Sequence, residues 1–315
     1  MTIAYDSPTS IKQFLEAEGL AMSKRFGQNF LVDRNAREKL YAALALPPLP
    51  EPGANGLPPP SVWEIGPGIG ALTSLLLERG NRVCTFEIDY GFARILNRLF
   101  GSNPRFSIVE GDFLKTWRAV AARSLAEASS GAKTFPTAAR SDDPRVTGAL
   151  PDLIFGNLPY NAALGIIADL LENLSSPPRM VFTVQKEAAR RIAALPGSKD
   201  YSAFSVLCSS VCEVKILYDI GASAFWPQPR VTSSVVTLRP RPDPIAAGDR
   251  KGFSRFVRSA FSSRRKTLRN NLCARDKSAG PRLDGALERL GIDPGIRAEA
   301  LDPPRLFEVY AAVKP

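Results

Sequence analysis

Five short apolar runs, at residues 61–65, 82–88, 106–110, 152–156 and 179–185, alternate with amphipathic stretches at 71–79, 90–100, 162–173 and 186–195. That alternation leaves little choice of architecture. Runs that stay apolar on successive residues are strands buried on both faces, and the helical patterns between them supply the covering layers. A further helical pattern at 202–210 and strand candidates at 212–219 and 231–238 extend the same order. The expected fold is α/β, a mostly parallel sheet with helices on both faces. In such sheets a ligand lies outside the carboxyl ends of the strands, near the point where strand order reverses. After Pro240 and Pro242 the pattern changes to short helices at 251–261, 263–273, 282–290 and 303–313. This predicts a larger domain over 1–240 and a small all-helical domain over 241–315. Two segments read as loops. Residues 47–60 hold seven prolines and two glycines in fourteen positions, and 119–150 is rich in Ala, Ser, Asp and Pro without a sustained period.

Composition narrows the chemistry. Lys and Arg number 41 against 31 acids, a net charge of +10 that favours a polyanionic partner. No histidine is present, which excludes a Ser-His-Asp triad, a His-activated cysteine and His-ligated zinc. The four cysteines include Cys208 and Cys212, four apart in an apolar stretch, so buried free thiols are expected and no metal site. No run of eighteen apolar residues spans a membrane, and the N-terminus lacks the basic and apolar blocks of a signal peptide. A cytoplasmic location is the expectation.

The polar residues that break the apolar runs collect at strand ends. Glu64-Ile65-Gly66-Pro67-Gly68-Ile69-Gly70 follows a strand and opens a helix, where Gly66 and Gly68 let a ligand approach the backbone. A tight strand-to-helix turn with no ligand has the same pattern. Glu87 ends the next strand, twenty-one residues after Gly66, where an acid can accept both hydroxyls of a ribose. Asp89 could take that role, but it is better placed as a helix N-cap. Asp112 ends the following strand, where it can accept from an adenine amine or serve as a turn aspartate. Glu64 beside the glycines disfavours a pyrophosphate and suits a ligand with a cationic amino-acid end, namely S-adenosylmethionine. Ala71 also stands where a dinucleotide fingerprint has its third glycine.

Gly156-Asn157-Leu158-Pro159-Tyr160-Asn161 ends the fourth run. An adenine amine is a poor nucleophile because its lone pair is delocalised into the ring. Asn157 offers a side-chain carbonyl and Leu158 a backbone carbonyl to accept from such an amine, while Pro159 fixes the turn. Tyr160 can lie against the base, which must be unpaired or flipped out. An Asx-type turn with an anchoring tyrosine is the plainer alternative.

With these motifs the chain resembles the ribosomal RNA adenine dimethyltransferases. K-R-F-G-Q-N-F-L-V-D at 24–33 and S-A-F-W-P-Q-P-R-V-T-S-S-V-V at 223–236 are similar to that family's signatures. F-S-S-R-R-K-T-L-R-N-N-L at 261–272 and L-G-I-D-P-G-I-R-A-E at 290–299 resemble its bacterial small-subunit branch. The resemblance covers about residues 23–315 apart from the two loops. It implies a Rossmann-like class I methyltransferase sheet, with the methyl donor against Gln28, Asn29, Leu31, Gly66, Gly68, Glu87, Asp112 and Asn157. It further implies that Tyr160 and Phe225 hold the target adenine. Trp226 departs from the smaller polar residue usual there and is expected to alter the pocket mouth.

Residues 250–282 hold eleven Lys or Arg and a single acid, Asp276. Phe253, Phe256, Val257, Ala260 and Phe261 recur at helical spacing, so one face packs while arginines point outward. A solvated helix face would look the same, but the imbalance favours an RNA backbone against Arg264, Arg265, Lys266 and Arg269, extended by Lys24, Arg25, Arg190 and Arg191. The expected activity is dimethylation of two adjacent adenosines near the 3′ end of small-subunit ribosomal RNA, by a monomer acting on a pre-30S particle. Alternatives are a macrolide-resistance methyltransferase acting on large-subunit RNA and a non-catalytic ribosome assembly factor.

Overall fold

The computed structural model describes residues 3–20, 28–48, 59–128, 150–174, 176–274 and 280–314. The chain divides into two compact units. The first comprises Met1–Ile166, Pro178–Lys186 and Leu217–Thr237, and the second Ile167–Pro177, Glu187–Ile216 and Leu238–Pro315. The second unit thus draws on stretches well before residue 240 as well as on the tail.

In chain order the first half runs α1 (Pro8–Ala17), β1 (Phe30–Leu31), α2 (Arg34–Leu44), β2 (Ser61–Ile65), α3 (Ala71–Glu78), β3 (Arg82–Glu87), α4 (Tyr90–Phe100), β4 (Phe106–Glu110), α5 (Phe113–Ala128) and β5 (Leu153–Asn157). There follow α6 (Ala163–Asn173), β6 (Arg179–Gln185), α7 (Lys186–Ile192), α8 (Ala203–Val211), β7 (Cys212–Ile220), β8 (Phe225–Trp226) and β9 (Ser233–Pro240). The last elements are α9 (Arg250–Ala260), α10 (Leu268–Cys273), α11 (Gly280–Arg289) and α12 (Pro303–Val313).

The main sheet has the order β4-β3-β2-β5-β6-β9-β7. Neighbours from β4 to β6 are parallel, as their doubly buried sequences require. From β2 the chain builds outward through β3 and β4, then returns to place β5 on the other side of β2. Order therefore reverses between β2 and β5, and a crevice opens at their carboxyl ends. Register sets what meets there: Ile65 pairs with Phe86 on one side and Gly156 on the other. A side chain at Gly156 would strike Leu158 Cδ2 at 2.8 Å and the Ile65 carbonyl at 2.9 Å, so glycine is required there. Leu76, Val83, Leu96, Phe106 and Phe155 are central to the core of this unit.

Capping explains several boundaries. Asp89 accepts from the N–H groups of Gly91 and Phe92 and starts α4, which is the role its position suggests. Asp33 starts α2 through the N–H of Ala36, and Ser7 with Pro8 starts α1.

The second unit has its own core of Tyr201, Phe253, Val257, Leu268, Leu283, Leu306 and Val309. Within it the Arg250 guanidinium donates to the carbonyls of Leu171 and Leu174, and Ser254 and Arg258 both bond Glu172. Two expectations are corrected. The helix expected over 263–273 begins only at Leu268, because the Asn271 amide donates to the carbonyls of Ala260 and Ser263 and holds the chain in a turn, while Thr267 caps α10. The loop expected from 119 begins later, since α5 continues to Ala128; residues 129–149 and 49–58 lie outside the described residues. Cys208 and Cys212 are buried free thiols, as expected, and Cys84 is a third.

Candidate active site

The crevice at the ends of β2 and β5 is a cleft walled by residues 28–31, Glu64, Gly66–Ile69, Ala71, Leu72, Glu87, Ile88 and 157–160. Its floor is the glycine turn. Gly66, Gly68 and Gly70 have φ of +68°, +57° and +82°, a region that strains any residue with a Cβ. At Gly68 a Cβ would stand 2.9 Å from the Phe30 ring, whereas at Gly66 nothing lies within 4 Å. The main chain at Gly66 is thus open to a ligand while Gly68 is packed from behind.

Two carboxyls are buried at this turn. Glu64 is 2% exposed and its Oε2 accepts from the Thr73 hydroxyl at 2.6 Å. Glu87 is 4% exposed and accepts from the N–H groups of Gly68 at 3.2 Å and Asp89 at 2.9 Å. Burial pushes the Glu64 carboxyl up to about 7, opposed by the Thr73 hydroxyl and helped by the charge of Glu87. Burial likewise pushes Glu87 up to about 7, against the pull of the backbone donors at Asp89 and Gly68.

The opposite wall is the end of β5. Asn157 donates from Nδ2 to the Asn29 carbonyl at 2.9 Å, which anchors the amide by its nitrogen. The Leu158 N–H donates to the Thr183 carbonyl, and the Pro159 carbonyl accepts from Ala162 and Ala163 as α6 begins. The Tyr160 hydroxyl is 3.0 Å from that of Ser233. The motif is therefore fixed at both ends by atoms outside itself.

Of the residues singled out in the sequence, Gln28, Asn29, Leu31, Gly66, Gly68, Glu87 and Asn157–Tyr160 all border this one cleft. Gln28 also reaches Asp89 Oδ2 at 3.4 Å. Asp112 and Phe225 do not border it. Asp112 accepts from the Leu114 N–H and its carbonyl from Lys115 and Thr116, the turn-and-cap role its position equally allowed. Phe225 pairs with Leu31 across β1 and β8, is 4% exposed and belongs to the core cluster behind that wall. Trp226 stacks on Phe30, their ring centres 6.3 Å apart.

Three cleft features escaped sequence reasoning. Phe30 was flanked by assigned residues, and its place as an aromatic inside the 24–33 motif was the available signal. Thr73 lies nine residues beyond Glu64, where only the strand–turn–helix geometry brings the two together. Ile88 is 43% exposed between two residues read for their charge, and it lines the cleft as an apolar edge.

The basic residues divide. Arg264 is engaged by Glu299 at 2.9 Å and by the carbonyls of Lys199 and Ser198, and Arg269 forms a two-point pair with Asp284 at 2.6 and 2.7 Å. Arg265, Lys266, Arg190 and Arg191 are exposed. Lys24 and Arg25 lie outside the described residues. No group able to hold a metal ion and no helix long and apolar enough to cross a membrane occurs among the described residues.

The strand order, the glycine turn after β2 and the acid ending β3 define a class I methyltransferase fold. Solved structures share it: a dimethyladenosine transferase from Plasmodium falciparum superposes with a TM-score of 0.65 at 21% identity, covering 88% of this chain and 94% of that one. The 23S rRNA methyltransferase ErmE superposes at 0.56, also at 21% identity, over 90% and 99%. Residues 19–310 match the family Ribosomal RNA adenine dimethylase, and the chain belongs to that family. Among curated relatives, Ribosomal RNA small subunit methyltransferase A of Treponema denticola is 42% identical over 94% of this chain and 91% of its own length. The protein of that name from Anaeromyxobacter dehalogenans is 36% identical over 96% and 95%.

Proposed function

We propose that this protein transfers methyl groups from S-adenosylmethionine to the exocyclic amines of two adjacent adenosines near the 3′ end of small-subunit ribosomal RNA. In this reading it acts in the cytoplasm, as a monomer, on a pre-30S particle. The observation that carries the reading is the meeting, in one cleft, of the anchored Asn157–Tyr160 turn with two buried carboxyls and an open glycine backbone. The cleft residues fit S-adenosylmethionine on their own terms. Glu64 and Glu87 are buried, and burial penalises their charge unless a cation joins them. Gly66 leaves its main chain open to a ligand edge.

When bound, S-adenosylmethionine supplies a methyl group carried on a positively charged sulfur. The chain's part is to hold and orient. Glu87 keeps lone pairs beyond its two backbone bonds and can accept from ribose hydroxyls. Glu64, oriented by Thr73, places negative charge where a cationic amino-acid end would lie. Asn157 presents its oxygen to the adenine amine, which turns the nitrogen lone pair toward the methyl donor. Tyr160, tied to Ser233, offers a flat face to the base. These residues act as acceptors and supports, in keeping with a chain that has no histidine.

Exposed Arg265, Lys266, Arg190 and Arg191 supply phosphate contacts, while Arg264 and Arg269 hold the second unit together. The test is to incubate the protein and donor with unmethylated small-subunit particles and, separately, with large-subunit RNA, then weigh the nuclease fragments. Dimethyladenosine at two adjacent positions of the small-subunit fragment is expected. Methylation confined to large-subunit RNA overturns the substrate, and no methylation of either overturns the activity.

A further inference from the structure

Arg37, on α2, is only 9% exposed, and among the described residues it forms no direct ion pair, although Asp6 and Asp33 attract it at longer range. Its Nη1 donates to three main-chain carbonyls, those of Tyr5 at 3.1 Å, Leu31 at 3.1 Å and Val32 at 2.8 Å. A buried guanidinium is costly unless its donors are satisfied, and carbonyl oxygens that accept from it gain charge-assisted bonds. Here those bonds join two separate stretches: the segment leading into α1, and β1 with the residue after it. Leu31 lines the cleft.

A second, apolar tie runs in parallel. Ile11, Phe14 and Leu15 on the buried face of α1 share a cluster with Phe30, Ile69, Phe92 and Ile95. Phe30 lines the cleft and its ring backs directly onto Gly68, while it meets Phe92 edge to face at 5.7 Å. Arg98 on α4 bonds Glu18, which fixes the far end of the N-terminal segment. Residues 3–18 lie outside the 19–310 stretch that matches the family. The cleft wall at 28–31 is thus held from the front by Asn157, which takes the Asn29 carbonyl, and from behind by Arg37 and α1.

We infer that Arg37 and the N-terminal segment 3–20 form a positioning device for the methyl-donor cleft, setting the distance between the 28–31 wall and the Gly66–Gly68 turn. The inference rests on the reading of this cleft as the S-adenosylmethionine site. Arg37 touches no ligand; it acts through the carbonyls of Leu31 and Val32. Loosening it widens the donor cleft and leaves the exposed basic residues of the second unit unchanged.

The test compares wild type, Arg37→Met, Arg37→Lys and Phe14→Ala by calorimetric titration with S-adenosylmethionine, by titration with small-subunit RNA, and by steady-state kinetics. Arg37→Met keeps the chain length and removes the donors; Arg37→Lys restores a charged donor with less reach. Phe14→Ala loosens the same wall through α1 without altering Arg37. Arg37→Met is expected to bind the donor about tenfold more weakly, with KM for the donor raised by the same factor, kcat within twofold and RNA affinity unchanged. Arg37→Lys recovers part of that loss, and Phe14→Ala shows a loss of about threefold. If Arg37→Met does not fold, Phe14→Ala carries the same comparison. Donor affinity within twofold of wild type in the folded variants overturns the inference, as does an equal loss of donor and RNA affinity. A wild-type protein that does not bind the donor overturns the underlying reading instead, and the inference with it.

Discussion

The cleft of the first unit and the basic stretch of the second both depend on charge, but they use it in opposite ways. At the cleft, two carboxyls are 2% and 4% exposed and burial moves both to about 7. In the second unit the charges are many and exposed, and two of the four candidates in the 264–269 run are already committed to Glu299 and Asp284. Few buried charges, each held by named donors, can select one ligand and one geometry. Many exposed charges can attract a polyanion without selecting among sequences. Counting arginines therefore locates a surface, and only the partner of each side chain tells whether it faces RNA or staples the fold.

The largest effect is expected where geometry is tightest. Asn157→Ala should lower methyl transfer by about 10²-fold or more, the scale for losing one preorganised contact to the reacting group. Quantitative transfer assays on small-subunit particles check it, and activity within tenfold of wild type would remove Asn157 from the chemistry.

Glu87→Ala comes next. It takes away an acceptor of charge-assisted bonds worth about 1.5–3 kcal/mol, so donor affinity should fall roughly 10- to 150-fold by calorimetry. An unchanged affinity would shift the contact to Asp89 or discard the donor site.

A smaller, pH-dependent effect distinguishes the buried carboxyls from ordinary ones. Their folded-state values of about 7 exceed the ordinary 4.5, so between those limits the folded chain holds more protons than the unfolded one. Their contribution to stability is therefore greatest below 4.5 and declines as pH rises toward 7. A cationic ligand favours the ionised forms, so donor affinity should rise with pH up to about 7 and then level, with protons released on binding at pH 6.5. Titration in two buffers of different ionisation enthalpy measures that release. Proton uptake, or no exchange, would contradict the assignment.

Smaller still are the changes expected in the second unit. Arg265→Gln with Lys266→Gln should reduce the salt slope of RNA binding by about 1.5, the share of two phosphates. Arg264→Ala should act mainly on stability, lowering the melting temperature by about 2–4 °C per kcal/mol lost. The comparison breaks if the first variant melts early while the second alone flattens the slope.

How far the sequence could be read follows from the same contrast. Strands β2 to β6 announced themselves because burial on both faces makes a strand apolar throughout, and Glu64, Glu87 and Asn157 stood out against that background. The Asn157–Tyr160 turn was legible as a candidate because its residue types exceed what a turn needs, and it borders the cleft. What tertiary geometry decides was not legible. β1 is two residues long, too short for any period, and is held by Arg37 and by pairing with Phe225 and Trp226. The same pairing draws Phe225 into the core behind the cleft wall. Thr73 reaches Glu64 only once the turn has closed. In the basic run, the helix expected from 263 is broken by the Asn271 amide, which turns residues 261–267 and leaves Arg265 and Lys266 exposed.

On the proposed function, chemistry and RNA attraction reside in different residues. The direct measurement is a crossed comparison of Asn157→Ala and the Arg265→Gln, Lys266→Gln pair, each assayed for RNA affinity and for single-turnover methyl transfer at saturating RNA. Asn157→Ala should keep wild-type RNA affinity while transfer collapses, and the basic pair should lose affinity while transfer at saturation stays within twofold. Loss of RNA affinity in Asn157→Ala, or a collapse of saturated transfer in the basic pair, would contradict it.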